Sequence, residues 1–219
     1  MKTLTAPAKV NLALDILGAR SDGYHDMKMV MQTISLCDTV SVEETASGFE
    51  LRTDGDFIPA GKKTLEQRAA EAFFEAAGFP MPGLRVTLEK VTPAYAGLGG
   101  GSADVAALLR ILRDNYAPEM STEELERIGF TVGSDMPFCV RGGTALAEGR
   151  GEVLMDLKNL SFDCTSRLGL VWNNAHWFAG ASVISHLYMY RKHRLSMTNS
   201  VNYLNIYAGF FFARKRQYR

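Results

Sequence analysis

Ala96-Gly97-Leu98-Gly99-Gly100-Gly101-Ser102-Ala103-Asp104 places four glycines within five positions and follows them at once with good helix formers. Glycine permits backbone conformations closed to other residues and lets the chain approach a ligand closely. Successive amides in such a loop can point inward as an anion nest, and the following helix adds its unpaired N–H groups and positive dipole end. The stretch reads as a phosphate cradle that opens a helix. It is neither of the two commonest cradles. No Gly-Lys-Ser/Thr closes it, as a P-loop requires, and Ser102 stands where a dinucleotide fingerprint wants its third glycine. A flexible linker is the competing reading. Val105, Leu108, Leu109 and Leu112 argue against it, because they recur at three- and four-residue spacing as one buried helical face. Ser102 or Asp104 is expected to cap that helix.

Outward from the loop, the pattern is mixed. Residues 4–17 alternate, with Val10, Leu12, Leu14 and Ile16 on one face and Lys9, Asn11, Ala13 and Asp15 on the other, which predicts a strand with one buried side. Arg20-Ser21-Asp22-Gly23-Tyr24-His25-Asp26 predicts a polar turn. A second strand is expected over Met27–Leu36 and a third over 40–43. Thr64 with Gln67 predicts a capping box for a helix to about Ala77, stopped by Gly78 and Pro80. Leu84–Val91 reads as the strand that enters the glycine loop. Ser121 with Glu124 predicts another capped helix carrying Leu125 and Ile128. Gly133–Pro137 reads as a turn, and 142–152 as a hairpin with a glycine-rich bend. Strands and helices mix without strict alternation, so the class is α+β.

The chain has 219 residues, room for one large domain or two small ones. Cys37, Cys139 and Cys164 show no disulfide or metal spacing, which suits a reducing, cytoplasmic setting. No signal peptide or membrane-spanning run is recognisable. The formal net charge of zero hides an asymmetry. From Cys164 to Arg219 there are eight basic residues and no acidic one, and both Trp172 and Trp177 lie there.

A cradle without a Walker lysine still needs positive charge, a base and an acceptor pocket. Taken singly, the candidates are weak: Lys9 reads as a solvated lysine, Asp135 as a turn or cap, and Tyr24-His25 as surface decoration. Their combination is stronger. Pro7-Ala8-Lys9-Val10-Asn11-Leu12, then Arg20-x-Asp22-Gly23-Tyr24-His25, then Pro93-x-x-Ala96-Gly97-Leu98-Gly99-Gly100-Gly101-Ser102, then Gly133-Ser134-Asp135-Met136-Pro137-Phe138 resembles the GHMP small-molecule kinase superfamily. The Asp-Gly-Tyr-His turn points within it to the branch that phosphorylates the 2-hydroxyl of a CDP-linked methylerythritol, a step of non-mevalonate isoprenoid precursor synthesis.

That resemblance, from about residue 3 to 157, implies an N-terminal ATP- and substrate-binding domain over 1–157 with the ribosomal protein S5 domain 2-like fold. It implies Lys9 and Asp135 as the catalytic pair, the Asp accepting the hydroxyl proton and the lysine offsetting charge on the attacking oxygen. Pro93, Ala94, Tyr95, Ala96, Gly97, Leu98, Gly99, Gly100, Gly101, Ser102 and Ala103 would bind ATP, with Ser102 helping to hold Mg²⁺. Asn11, Tyr24 and His25 would form the cytidine pocket, and Lys90 would be structural. Thr64 stands where the family often has Asn, so a contact to the nucleotide would be lost. A mevalonate- or homoserine-type kinase, and an inactive nucleotide-binding fragment, are the alternatives.

The family continues with a ferredoxin-like domain, and nothing after residue 158 matches it. The segment 158–219 is therefore expected to be an out-of-frame or disordered end. Neither a membrane nor nucleic acid is expected as its partner. The face left uncovered on the first domain is expected to favour self-association.

Overall fold

The structure, a computed structural model, describes residues 1–54 and 63–157 with their side chains, and the strands β7 (Phe162–Asn173), β8 (His176–Leu187) and β9 (Ile206–Tyr207) by backbone alone. β7, β8 and β9 form a separate antiparallel sheet. Most of what the sequence suggested for 158–219 lies outside the described residues.

The polar segment after Ala19 makes a tight turn between β1 (Lys2–Ala19) and β2 (His25–Thr45). Gly23 adopts φ +84°, and Asp22 Oδ1 accepts the Tyr24 amide at 3.1 Å. Arg20 ties the turn with ion pairs to Asp22 at 3.2 Å and Asp26 at 2.6 Å. The two strands expected over 27–43 are one strand. β2 stays continuous because it changes partner: Met27–Gln32 pair with β5 (Thr144–Gly149), and Thr39–Thr45 pair with β4 (Gly83–Glu89). β1 runs antiparallel along the opposite edge of β2 throughout. Residues 33–38 of β2 thus face a gap between β4 and β5.

β3 (Phe49–Thr53) lies parallel to β4, and β6 (Val153–Asp156) completes the expected hairpin with β5, giving the order β3-β4-β2-β5-β6. The expected burial of one whole face of β1 is corrected. Ala6, Ala8 and Lys9 are buried, whereas Leu14 is 45% and Ile16 63% exposed. Register shifts between Pro7 and Lys9, Asn11 and Ala13, and Ile16 and Gly18 exchange the two faces along the strand. A strict two-residue period does not survive such bulges.

Among the described residues four helices cover the sheet. α1 (Leu65–Ala77) is capped by Thr64, whose Oγ1 accepts the Gln67 amide, and ends at Gly78 with φ +79°. The reciprocal half of its expected capping box is absent: Gln67 Nε2 donates to Glu71 instead. α3 (Thr122–Val132) carries the full box between Ser121 and Glu124. α4 (Met136–Arg141) follows Asp135. α2 (Gly100–Tyr116) is the central element, and Val105, Leu108, Leu109 and Leu112 are fully buried as the periodicity predicted. Burying one such side chain is worth about 1.5–3 kcal/mol. A smaller apolar cluster of Ala8, Ile34, Ala96 and Leu98 pins the glycine loop against β1 and β2. Cys37 and Cys139 are free thiols. Among the described residues no helix is long and apolar enough to cross a membrane.

Candidate active site

The expectation that Ser102 or Asp104 caps α2 is corrected. The helix begins earlier, after Gly99, which is left-handed at φ +67°, and no side chain satisfies its first amides. Gly100 and Gly101 occupy the opening turn, so the helix presents bare N–H groups at its positive end. That is the arrangement an anionic ligand finds attractive.

Lys9 lies directly beneath this loop. Its amide donates to Leu98 O at 2.8 Å, and the residue is 5% exposed, so the solvated reading is excluded. The aliphatic stem runs against Gly99. A Cβ there would stand 2.9 Å from Lys9 Cγ and 3.0 Å from Cε, so only glycine fits over the lysine. Lys9 Nζ reaches Asp135 Oδ2 at 3.1 Å. Asp135 precedes α4, but its carboxylate makes no cap bond to that helix. Instead its side chain, 34% exposed, faces both the lysine and solvent. A buried ammonium beside a reachable carboxylate suits proton removal from a bound hydroxyl.

The other expected residues are distributed unevenly. Ala96 and Leu98 are buried, while Pro93, Ala94 and Tyr95 are exposed at the loop's outer turn. Tyr95 holds φ 58°, the single positive φ among described non-glycine residues. Asn11 lies two residues beyond Lys9, and its Oδ1 is buried with no hydrogen-bond partner, leaving an acceptor for a ligand. Tyr24 and His25 are exposed at the end of the β1–β2 hairpin. The Arg150 guanidinium sits 3.5 Å from the Tyr24 ring centroid and 4.9 Å from that of Phe130. Sequence reasoning missed Arg150, which is brought there by the β5–β6 turn. A Cβ on Gly151 of that turn would meet Ser134 O at 3.0 Å, so the turn rests against the residue preceding Asp135.

It also missed the surroundings of Lys90. Lys90 Nζ bonds Asp38 at 2.5 Å and also bonds Asp104. Asp38 Oδ1 further accepts the amides of Val91 and Thr92, each at 2.6 Å. Burial would raise the Asp38 carboxyl, but Lys90 and these two amides hold it below its usual value. Asp104 is the reverse. Burial dominates, and its carboxyl is pushed up to about 7 despite Lys90. For Lys90, burial lowers the ammonium and the two carboxylates more than offset it, so the net direction is up. Among the described residues no three His, Cys, Asp or Glu side chains converge on a metal site.

The comparisons agree with this geometry. The description "GHMP kinases N terminal domain" matches residues 64–143. The 4-diphosphocytidyl-2-C-methyl-D-erythritol kinase of Clostridium botulinum (strain Kyoto / Type A2) is 45% identical over 154 residues, covering 70% of this chain and 55% of the relative. A crystal structure of 4-(cytidine 5'-diphospho)-2C-methyl-D-erythritol kinase superposes with TM-score 0.59 at 41% identity, over 71% of this chain and 55% of the other. The mevalonate kinase of Methanococcus jannaschii shares the fold at TM-score 0.56 and 17% identity, over 72% and 56% of the two chains. The chain spans about half the length of the curated relatives it matches. The α+β sheet, bare-ended α2 and glycine loop thus belong to a chain whose residues 64–143 match the GHMP kinases N-terminal domain.

Proposed function

We propose that residues 1–157 form the ATP- and acceptor-binding part of a small-molecule kinase that phosphorylates the 2-hydroxyl of 4-diphosphocytidyl-2-C-methyl-D-erythritol, in isoprenoid precursor synthesis in the cytoplasm. The observation that carries this reading is the Lys9–Asp135 pair at 3.1 Å under the glycine loop. Asp135 accepts the hydroxyl proton. The freed oxygen attacks the γ-phosphorus, and the bond to the β,γ-bridging oxygen breaks, so that ADP leaves with its electron pair. Lys9 and the bare amides of α2 offset the charge that gathers on the attacking oxygen and the phosphoryl group. Mg²⁺ neutralises phosphate charge in such transfers. Among the described residues no cluster of His, Cys, Asp or Glu offers a cage for it, so the ATP phosphates would carry the ion and the Ser102 hydroxyl would be its protein ligand. Asn11, Tyr24 and His25 receive the cytidine end, and the names of the relatives at 45% and 41% identity support that acceptor. The exposed apolar side chains of β1 and β6 favour self-association.

The test is ADP release with this acceptor, ATP and Mg²⁺, for the chain beside its Asp135→Asn variant. Turnover that collapses in the variant supports the reading. Turnover of mevalonate or homoserine instead would replace the acceptor. ATP binding with no turnover of any of the three would make the chain a nucleotide-binding protein without kinase activity.

A further inference from the structure

We propose that Lys90, Asp38 and Asp104 form a buried ionic clamp that closes the two ends of the glycine loop and so positions it for nucleotide phosphates. This rests on the loop being the ATP-phosphate site. Lys90 follows the last residue of β4, and Asp104 lies in the opening of α2. The lysine therefore joins the chain entering the loop to the chain leaving it. Asp38 anchors both to the sheet. It sits in the stretch of β2 that faces the gap between β4 and β5, binds Lys90, and takes the amides of Val91 and Thr92. The loop's far side is tied once more, by the Lys9 amide to Leu98 O at 2.8 Å.

Two features separate this cluster from ordinary core packing. First, its cost is high. Asp38 and Asp104 are 0% and 1% exposed, and Glu66 on α1, 6% exposed, adds a third carboxylate whose charge acts on Asp104. Apolar side chains of similar volume commonly stabilise a core as well as or better than a buried ion pair. Second, the polar groups are incompletely satisfied. Asp104 Oδ1 and Thr92 Oγ1 are buried without hydrogen-bond partners. What the cluster does supply is fixed geometry. Gly100 packs against Thr92 so closely that a Cβ would stand 2.9 Å from its Cγ2, with Asp38 Oδ2 at 3.6 Å. Displacing Asp38 or Thr92 would free Gly100 and its neighbour Gly99, which rests on the Lys9 stem. Lys90, Asp38 and Asp104 are positioning residues acting through the loop.

The test measures ATP and CDP affinity separately for the chain and its Asp104→Asn, Lys90→Met and Lys90→Arg variants, with thermal midpoints alongside. The expected result is ATP affinity weakened by about tenfold or more in the first two, CDP affinity unchanged, and partial recovery with arginine. Unchanged ATP affinity in a folded Asp104→Asn or Lys90→Met variant would overturn the clamp, and so would equal losses for both ligands. Hydrogen exchange on the unmodified chain decides the case where variants do not fold. The amides of Val91 and Thr92, both bonded to Asp38, should exchange as slowly as those of α2's buried turns, and fast exchange would overturn the proposal. An unmodified chain that binds no ATP would refute the proposed function, and the exchange measurement would then still decide whether the clamp exists.

Discussion

Two lysines approach the glycine loop, and their carboxylate partners differ in one respect that decides their use. Lys9 has one partner, Asp135, whose side chain is 34% exposed. Lys90 has two, Asp38 and Asp104, whose side chains are 0% and 2% exposed. A carboxylate that reaches solvent can also reach a substrate, and can take up a proton and release it. A carboxylate sealed in the core is out of a substrate's reach. On the proposed reading, the same pair of residue types serves chemistry in one place and geometry in the other, and burial of the acid separates them.

The largest effect expected is from Asp135→Asn. Removing a positioned base typically costs about 10²–10⁴ in rate, and ATP affinity should be preserved. If Asp104→Asn lowered turnover at saturating ATP by as much, the contrast between open and sealed acids would be broken. Gly99→Ala comes next. The left-handed φ of +67° and the 2.9 Å approach to Lys9 Cγ leave no room for a methyl group, so a stability loss of about 1–3 kcal/mol is expected. Displacement of Lys9 should also lower turnover. A thermal midpoint and an ADP-release assay read the two effects.

A third outcome sharpens the contrast through pH. The Asp104 carboxyl is raised to about 7 in the folded chain, chiefly by burial. A raised folded value means that its contribution to stability is complete below the ordinary carboxylate range and is lost as pH rises through about 7. Asp38, held below its usual value, acts in the opposite sense and loses its contribution as pH falls towards the acid range. Thermal midpoints from pH 5 to 8 should therefore decline more steeply for the unmodified chain than for Asp104→Asn. Parallel curves would remove Asp104 as the titrating group. The smallest effect is a control outside both sites: Thr64→Ala deletes the α1 cap and should cost about 1 kcal/mol, with the Lys9–Asp135 geometry intact.

Local signals in the sequence were legible where the structure is local. The Asp22-Gly23 turn, the Ser121–Glu124 box and the apolar face of α2 each depend on residues within a few positions, and each forms as expected. The family motifs brought Lys9 and Asp135 forward as partners when neither residue alone suggested it. What escaped was long-range. Asp38 meets Lys90 across 52 positions and Thr92 across 54, and a single aspartate in an alternating strand carries no trace of either contact. Arg150 reaches Tyr24 only because the β5–β6 turn folds beside the β1–β2 hairpin. The continuity of β2 was hidden for a related reason. Its pattern breaks where it exchanges β5 for β4, which reads in sequence as an end.

The irregular course of β1 also bears on how copies of the chain meet. Among the described strands, β1 pairs on one side only, with β2, and a long open edge invites another extended chain to add to the sheet. Its bulges interrupt the pairing pattern after Pro7, Asn11 and Ile16. The longest regular run, Lys2–Pro7, ends on a residue with no amide hydrogen to offer. A second copy would find no flat template here. Strand-to-strand stacking into fibrils is disfavoured along this edge, although Leu14, Ile16 and Leu17 lie exposed on it.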